Sequence, residues 1–391
     1  MNKYLFSTII AFIFFSCEEK KTVFTGMDDC DVIAAWKVVN GDTVIISNVH
    51  DIKDTLNLPL SYFTEGFELV RLDNTKVDAL VSRDRPMAVI SDNYIGFFCY
   101  QFFPFKLFDR KGNYLRDIGA FGQGPNEYSD VSTAQIDEKN NRIFIAEYAS
   151  YKNILVYDLE GNHLPSIPLA YSNRKMTFYI DMEKQTVFVG STTYSDTPII
   201  WIQDFEGNVI QEFRNNSFGN DNPIRSNNIL QLGWHTENIA ISYDFNNPDY
   251  QILYNYNQEK NEIIPKFQLL NKGGGFSMRE LPYHFIYETL TVGGYGGEDI
   301  IIDKETLKGC YFNLVIDEFG DMPVSPSLFY YQYNSDYFYI TKQPYDFIED
   351  LDRVLAAPGK LSPDALKKAQ NLRESLDEDD NCIIIITKLK K

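Results

Sequence analysis

Histidine and the short motifs of enzymes are scarce in this sequence. The 391 residues contain four histidines, and none stands in an HxH, HxxxH or HExxH arrangement that would bind a metal. No Gly-x-Ser-x-Gly element marks an activated serine, and no CxxC or Cys/His spacing indicates a zinc site. The sequence therefore gives no local catalytic or metal-binding motif, and we expect no bound cofactor.

Basic residues are also few compared with acidic residues. Lys and Arg number 36 against 55 Asp and Glu, which gives a formal net charge of −19. Nucleic-acid binding depends on a basic surface that releases counterions from the phosphates, so nucleic acid is not an expected partner. An acidic surface instead favours a soluble monomer. The acidic runs at 28–31 and 377–380 lack the ligand spacing and central glycine of a calcium loop, so we interpret them as solvated charge.

Cysteine is rare as well. Apart from Cys17, the chain contains Cys30, Cys99, Cys310 and Cys382. We interpret these four as buried free thiols, because Cys99 and Cys382 lie in apolar, strand-like runs where a small hydrophobic residue fits. One disulfide among them, formed in an oxidising compartment, is the alternative.

The N-terminus carries an export signal. Lys3 precedes an apolar run, 4–15, that is too short to span a bilayer as a helix. The phrase FFSC, which ends at Cys17, resembles a bacterial lipobox, in which the cysteine receives a diacylglycerol and becomes the first mature residue. The resemblance implies lipidation of Cys17 and an outer-membrane lipoprotein of a Gram-negative bacterium, on the periplasmic face or at the cell surface. Ordinary cleavage with an incidental Cys17 is the alternative.

Four short stretches repeat one theme, in which Asp begins a turn that contains Gly and ends in Asn or Asp. They are 109–113, 158–162, 204–208 and 317–321. The first three begin about 49 and 46 residues apart, and about two further units separate the third from the fourth. The polar segment 255–261 supplies the missing turn. Repeats of this length are typical of propeller blades, and the aromatic content of 15% favours strands.

The apolar segments around these turns predict six groups of four strands, of which the last is one strand short. Residues 68–72 can supply that strand beside the very apolar 383–386. This pairing would join the two ends of the chain and leave no exposed sheet edge there. We therefore predict an all-β fold, a six-bladed β-propeller.

The pattern changes to helix just before the last strand. Ser362 has the character of an N-cap, with Pro363 at the first helical position. We predict a small helical insertion at about 345–378 that covers the last blade, and a lid over the channel is the alternative. The predicted organisation is a lipoprotein signal peptide at 1–16, a tether and N-terminal segment at 17–57, and the propeller at 58–391.

The phrase IGAFGQGPNEY at 118–128 carries a family resemblance. It resembles the IGxxGxGPxEY motif of six-bladed β-propeller lipoproteins, an NHL-like group, and FDRKGNYLRD at 108–117 matches the start of their longer phrase. Asn126 replaces the usual glycine of the motif. The resemblance implies an architecture and an envelope lipoprotein, but it does not supply an activity.

We interpret the motif loop as mainly structural, a crossover between blades. Its glycines allow positive φ, Glu127 could accept hydrogen bonds from the turn amides, and Tyr128 could pack on the neighbouring blade. A ligand clamp at the channel mouth is the alternative. The motif residues are Gly119, Gly122, Gly124, Pro125, Glu127 and Tyr128.

Six other side chains are candidates for ligand binding. Two guanidinium groups suit carboxylate or phosphate capture, with salt bridges to nearby acids as the alternative. Two imidazoles fall in the fourth and fifth units and could face one rim, and two tyrosines could stack on a sugar. These residues are Arg83, Arg85, His235, His284, Tyr283 and Tyr295.

The sequence as a whole predicts a lipid-anchored envelope propeller that acts as a binding or scaffold module for a peptide, glycan or protein partner. The alternative is an envelope lyase or hydrolase, whose site at the channel mouth would combine His235 and His284 with acids from other blades. A non-enzymatic role is the first hypothesis, because no local motif supports catalysis.

Overall fold

Six blades arranged in a ring make up the structure, a computed structural model, and this confirms the predicted six-bladed β-propeller. The structure describes residues 26–39, 41–82, 87–99, 103–124, 127–147, 152–172, 176–191, 197–214, 229–232, 239–242, 252–270, 275–290, 298–324, 330–331, 337–358 and 361–390.

The elements follow in chain order. The N-terminal part contains β1 Ala34–Val39, β2 Asp42–Asn48, β3 Thr55–Pro59, α1 Leu60–Phe63 and β4 Thr64–Arg71. Blade one contains β5 Met87–Ile90, β6 Tyr94–Phe98, β7 Phe105–Asp109 and β8 Tyr114–Ile118, and the short β9 Ala120–Phe121 and β10 Glu127–Tyr128 follow. Blade two contains β11 Thr133–Asp137, β12 Arg142–Ala146, β13 Asn153–Tyr157 and β14 His163–Pro168. Blade three contains β15 Met176–Asp181, β16 Thr186–Ser191, β17 Ile200–Asp204 and β18 Val209–Phe213.

The second half of the chain continues this order. Blade four contains β19 Ile229–Leu232, β20 Ile239–Ser242, β21 Ile252–Asn257 and β22 Glu262–Leu270. Blade five contains β23 Gly275–Glu280, β24 His284–Leu290, β25 Asp299–Asp303, β26 Gly309–Ile316 and the short β27 Met322–Pro323. The remaining elements are β28 Tyr330–Tyr331, β29 Tyr337–Lys342, α2 Pro344–Ala356, α3 Pro363–Glu374 and β30 Ile383–Leu389.

The first strand of each blade lies at the centre of the ring. In blades one to three the four strands pair antiparallel in chain order. The first strands of neighbouring blades contact one another, β5 with β11, β11 with β15, and β15 with β19. These strands therefore surround the central channel, and the fourth strands form the outer rim.

The N-terminal segment adds strands to the outer rim of two blades. We call residues 26–59 the strap. Its strand β2 pairs in parallel with β22 of blade four, with Ile45 opposite Phe267. Its strand β3 pairs in parallel with β26 of blade five, with Leu58 opposite Leu314. The strap thus covers the outer strands of both blades, which reduces their unpaired backbone.

The two ends of the propeller close on each other in blade six. Strand β30, from the C-terminus, lies between β29 and the N-terminal β4. Ile385 pairs with Ile340 on one side and with Leu69 on the other. The expected pairing of 68–72 with 383–386 is present, and the buried side chains of β30 explain its unbroken apolar run.

The Asp-Gly-Asn turns of blades one to three share one construction. In blade one, Asp109 Oδ1 accepts hydrogen bonds from the backbone N–H groups of Lys111 and Asn113, both at 2.9 Å. Asn113 Nδ2 donates to Asp109 Oδ2 at 2.8 Å. Asp158 in blade two and Asp204 in blade three accept the same bonds from their own asparagines. Each turn joins the third strand to the fourth, and its glycine has a φ between +84° and +88°.

The fourth predicted turn lies one strand later in its blade than the other three. Residues 317–321 follow the outer strand β26 and lead into β27. The equivalent turn of blade five begins at Asp303, whose Oδ1 accepts hydrogen bonds from the N–H groups of Glu305 and Thr306. The turn at Asp303 contains no glycine, and its residue with positive φ is Leu307, at +59°. For this reason the sequence repeat does not reveal it, and the predicted turn falls one strand too late.

Two helices precede the last strand, as predicted. Ser362 Oγ accepts a hydrogen bond from Ala365 N at 3.2 Å and caps α3. Phe347 and Leu351 of α2 are buried in one apolar cluster with Phe319 of blade five. The insertion therefore packs as a cover on blades five and six.

Candidate ligand-binding cleft at the channel mouth

A cleft of about 580 Å³ opens where the central strands of blades one to three end. Its walls are those strand ends, the turns that follow them, and one residue of blade six. This position is a mouth of the central channel. The polar side chains in the wall are Ser91, Asp92, Gln135, Asp137, Glu138, Lys139, Asn140, Tyr179, Asp181, Glu183 and Tyr337.

A glutamine joins the central strands of blades two and three beneath the cleft. Gln135 Oε1 accepts a hydrogen bond from Ile180 N at 2.9 Å, and Gln135 Nε2 donates to Ile180 O at 3.1 Å. The side-chain amide thus satisfies both backbone groups of Ile180 across the blade boundary. This contact fixes the position of β11 relative to β15 along the channel, and the two strands form the floor of the cleft.

Polar bridges also connect the turns around the cleft. The two carboxylate oxygens of Glu138 accept hydrogen bonds from Asn93 N and Nδ2 at 2.7 and 2.8 Å, which ties blade two to blade one. Lys139 Nζ lies 2.9 Å from Glu183 Oε1 and ties blade two to blade three. The Glu138 bridge preorganises the turns of blades one and two, whereas the Lys139–Glu183 pair is exposed to solvent and contributes little.

Blade six also contacts blade one at the cleft, through a hydrogen bond between side chains. Tyr337 Oη donates to Asp92 Oδ1 at 2.7 Å. Burial, followed by the nearby Asp92 carboxylate, raises the pKa of Tyr337 to about 12. The phenol therefore keeps its proton at neutral pH and remains a donor.

The cleft is strongly acidic. Five carboxylates and one lysine line it, so its formal charge is −5 + 1 = −4. Backbone N–H donors from its own turn, led by that of Lys184, hold the pKa of Asp181 below its usual value. A carboxylate can accept further bonds beyond those within the protein. The cleft therefore suits a ligand that supplies cationic groups or many hydrogen-bond donors.

The GxGPxEY loop lies next to blade two and is held together by hydrogen bonds between its own residues. Glu127 Oε2 accepts a hydrogen bond from Gly124 N at 2.8 Å. A Cβ at Gly122 would lie 1.9 Å from Glu127 Oε2, so the carboxylate fits only because that residue is glycine. The loop closes through Gly122 N, which donates to Tyr128 O at 3.0 Å.

Tyr128 completes this crossover and is fully buried. Its hydroxyl accepts from Phe105 N at 2.7 Å and donates to Ile118 O at 2.5 Å. Phe105 and Ile118 face each other at the end of the β7–β8 ladder. The ring meets Tyr157 of blade two edge-on, with ring centres 6.4 Å apart. Tyr128 thus joins blade one to blade two.

His284 lies in the aromatic core of blade five, away from the cleft. Its ring packs against Tyr62 and Phe63 of α1, tilted to the first and edge-on to the second, with ring centres 5.4 and 5.8 Å apart. Its Nε2 lies 3.5 Å from Asp303 Oδ2. Burial lowers the pKa of His284 to about 4, against the opposing effect of the Asp303 carboxylate. Tyr283, beside it, is 53% exposed and lies in the turn before β24.

His284 gives a pH dependence of stability. Its pKa is 6.5 when unfolded and about 4 when folded, so the unfolded chain binds more protons between these values. Stability therefore falls as the pH drops below 6.5. We expect His284→Gln to remove about 2–3 kcal/mol of the loss between pH 7 and pH 4.5, measured by urea unfolding. An unchanged pH dependence in this variant would contradict the burial of a neutral imidazole.

Several predicted residues lie outside the described part of the chain. They are Cys17, Arg83, Arg85, Pro125, His235 and Tyr295. Among the described residues, no group of three or more His, Cys, Asp or Glu is arranged to hold a metal ion. No helix in the described ranges is long and apolar enough to cross a membrane.

The acidic cleft was missed by the sequence analysis, although a signal for it exists. The stretches Ile136-Asp137 and Ile180-Asp181 begin two similar segments, IDEKNNRIF and IDMEKQTVF, about 44 residues apart. These segments are the first turns of blades two and three. The turn between the third and fourth strands of each blade contains a glycine and is therefore the more visible pattern in the sequence.

Comparison with known proteins gives a family and a fold. The family model "Domain of unknown function (DUF4934)" matches residues 43–289, which is more than half of the chain. A Bacteroides fragilis protein described as exported is similar in structure, with a TM-score of 0.58 and 17% identity over 88% of this chain and all of that one. A DUF4221 family member from Bacteroides vulgatus has a TM-score of 0.41 and 12% identity, over 84% of this chain and 97% of its own. No curated protein matches the sequence.

Proposed function

We propose that this chain, which belongs to the DUF4934 family, is a lipid-anchored binding module of the cell envelope that holds its ligand in the acidic cleft. The observation that carries the proposal is the preorganised cleft, in which turns from successive blades are bridged by side chains. A concave surface with polar groups in fixed positions can orient a bound ligand. The protein acts as a monomer with no nucleic acid partner, which its net charge of −19 favours.

The ligand is a peptide, glycan or protein partner, and the charge of the cleft favours a basic peptide segment. Lysine and arginine side chains supply the donors that clustered carboxylates accept. Tyr179 lines the same cleft and adds an aromatic ring for a cation or a sugar ring, whereas Tyr337 is buried and has Arg110 and Lys388 over its ring. The basic segment of a partner protein therefore satisfies both features of the wall.

An enzymatic function receives less support. A lyase or hydrolase at the channel mouth would use His235 and His284 with acids of other blades. His284 lies among aromatic side chains of blade five and does not line the cleft. The described carboxylates of the cleft are engaged in turns and bridges between blades.

A titration with simple probes tests the proposed ligand chemistry. Tetra-arginine, tetra-lysine and a neutral glucose hexamer are added to the full chain in detergent, and binding is measured by calorimetry. We expect the basic peptides to bind with an affinity that falls with salt. We expect the double variant Glu138→Gln, Glu183→Gln to weaken this binding about tenfold, because two attractive charges are removed.

A control double variant distinguishes the effect of charge in the cleft from the effect of the net charge of the protein. Glu160→Gln with Glu206→Gln removes the same charge from the outer turns of blades two and three, outside the cleft. Equal weakening in both double variants would contradict the cleft as the site. Binding of the hexamer alone would contradict the basic ligand and favour a glycan.

The cellular location is the second part of the proposal. We propose an outer-membrane lipoprotein of the NHL-like group, acylated at Cys17 and placed on the periplasmic face or at the cell surface. The lipobox-like FFSC phrase and the IGxxGxGPxEY phrase support it, as does the exported relative of similar fold. We expect Cys17→Ser to move the protein from the membrane fraction to the soluble fraction, as seen by fractionation and immunoblot. Full membrane retention of this variant would refute acylation at Cys17.

A further inference from the structure

The strap runs antiparallel to the start of the outer strand of blade five. Val32 and Lys308 form an antiparallel bridge between them. In an antiparallel register the two residue numbers of each facing pair have a constant sum. Cys30 stands two residues before Val32 and Cys310 two residues after Lys308, so this register would bring the two cysteines opposite each other just beyond the bridge.

The hydrogen bonds beside the bridge show which facing pairs are of the hydrogen-bonded type and which are not. Gly309 N donates to Asp31 O at 3.1 Å, so these two facing residues form a hydrogen-bonded pair. Continued by one step, this register reaches a position of the non-hydrogen-bonded type, in which Cα atoms lie about 4.5 Å apart and side chains are close. A disulfide requires a Cα separation of about 4.4–6.8 Å.

The two thiols meet in the protein interior. Cys30 is 5% exposed and Cys310 is fully buried, and both belong to the same apolar cluster. Their sulfur atoms are within hydrogen-bonding reach of each other. Cys382 is different, because its Sγ donates to the backbone oxygen of Lys342 in blade six, at 3.4 Å. The expectation of buried thiols is confirmed, and two of them form a pair.

We propose that Cys30 and Cys310 form a disulfide when the protein folds in an oxidising compartment. The inference rests on the envelope location given under the proposed function. Two S–H bonds break and one S–S bond forms. The two electrons and two protons that leave the thiols reduce the disulfide of an envelope thiol–disulfide oxidoreductase to its dithiol. Burial raises the pKa of both thiols, so few thiolates exist once the strap has closed, and the bond forms during folding.

This bond fixes the place where the tether leaves the ring. Cys17 precedes Cys30 by about 13 residues, which extend to about 45 Å at most. In a ring of six blades, blade five lies opposite blade two. A disulfide at blade five therefore attaches the membrane tether on the side opposite the cleft, which centres on blade two.

Peptide mapping tests the pairing directly. The full chain is reduced, unfolded and refolded in a buffer of reduced and oxidised glutathione, then alkylated under denaturing conditions without reduction. We expect a linked peptide pair that contains Cys30 and Cys310, with Cys382 alkylated. We expect the oxidised protein to melt about 3–6 °C higher than the reduced protein. Alkylation of both Cys30 and Cys310 in the refolded protein would overturn the pairing.

Two variants and a cellular sample complete the test. Cys382→Ser should keep the link, and Cys30→Ser should leave Cys310 open to alkylation. The same mapping on protein taken directly from cell envelopes should show the link. A link after refolding in glutathione but reduced cysteines in the cell would overturn the oxidising location, and with it the cellular part of the proposal, without affecting the geometry. The Cys17→Ser fractionation tests that location independently.

Discussion

Replacing Tyr128 with alanine is expected to lower the free energy of unfolding by about 4–5 kcal/mol. The side chain is fully buried between blades one and two, so its removal leaves a cavity that the rigid blades cannot close. The substitution also removes the hydroxyl that links Phe105 N to Ile118 O at the end of a strand ladder. Urea or guanidinium unfolding followed by far-UV circular dichroism measures the loss.

The conservative variant separates the two contributions. Tyr128→Phe retains the ring and should cost about 1–3 kcal/mol, because a buried donor and a buried acceptor lose their partner. Tyr256→Phe is the matched control. Among the described residues, the Tyr256 hydroxyl binds the side chains of Gln211 and Asn261, in a partly buried setting where they can rebind water, so its loss should cost less than 1 kcal/mol. Equal costs for the two phenylalanine variants would contradict the role of Tyr128 as the link between blades.

Gly112→Ala is expected to cost about 3–5 kcal/mol. Gly112 has a φ of +87°, where an L side chain adds about 1–2 kcal/mol of strain. An added Cβ would lie 2.2 Å from Arg71 O, which is backbone of the closing strand β4. Asp73 N also donates to Gly112 O at 2.8 Å, so the two segments cannot separate without losing this bond. The substitution should therefore loosen the contact of blade one with the closing blade.

Gly41→Ala is the matched control for this prediction. Gly41 has a similar φ of +99°, but among the described residues no atom other than those of its chain neighbours lies within 4 Å of a Cβ placed there. This variant should lose only the backbone contribution, about 1 kcal/mol. The difference between the two variants in denaturant unfolding measures the contact between the blade-one turn and β4. A Gly112→Ala loss no larger than that of Gly41→Ala would show that the contact is absent.

Local chemistry explains why the sequence predicts the blades so well. Asp109 and its counterparts satisfy the turn amides with their own carboxylates, and the glycine that follows takes the positive φ. Such turns need no distant partner, so their pattern is visible in a single sequence. The closing strand is visible for a related reason, because a run such as Ile383 to Ile386 requires burial on both faces.

Features that depend on distant contacts were not visible. The position of the strap follows from parallel pairing of β2 and β3 with strands more than 200 residues away, for which the chain has no local signal. The cleft arises because short turns of three blades are brought together by the ring. The pairing of Cys30 with Cys310 follows from the same strap, since spacing in the sequence does not determine which cysteines meet.

Hydrogen exchange of β4 tests the central claim, a ring closed by pairing the N-terminal strand with the C-terminal one. In a closed ring, the amides of Thr64–Arg71 that face β30 are held by the ladder and exchange only when the whole propeller unfolds, whereas the alternate amides of this edge strand face away from β30. Mass spectrometry of peptides should therefore show, within 64–71, a subset of amides that exchange as slowly as those of 383–389. Rapid exchange throughout 64–71 while 383–389 remains protected would contradict the closed ring.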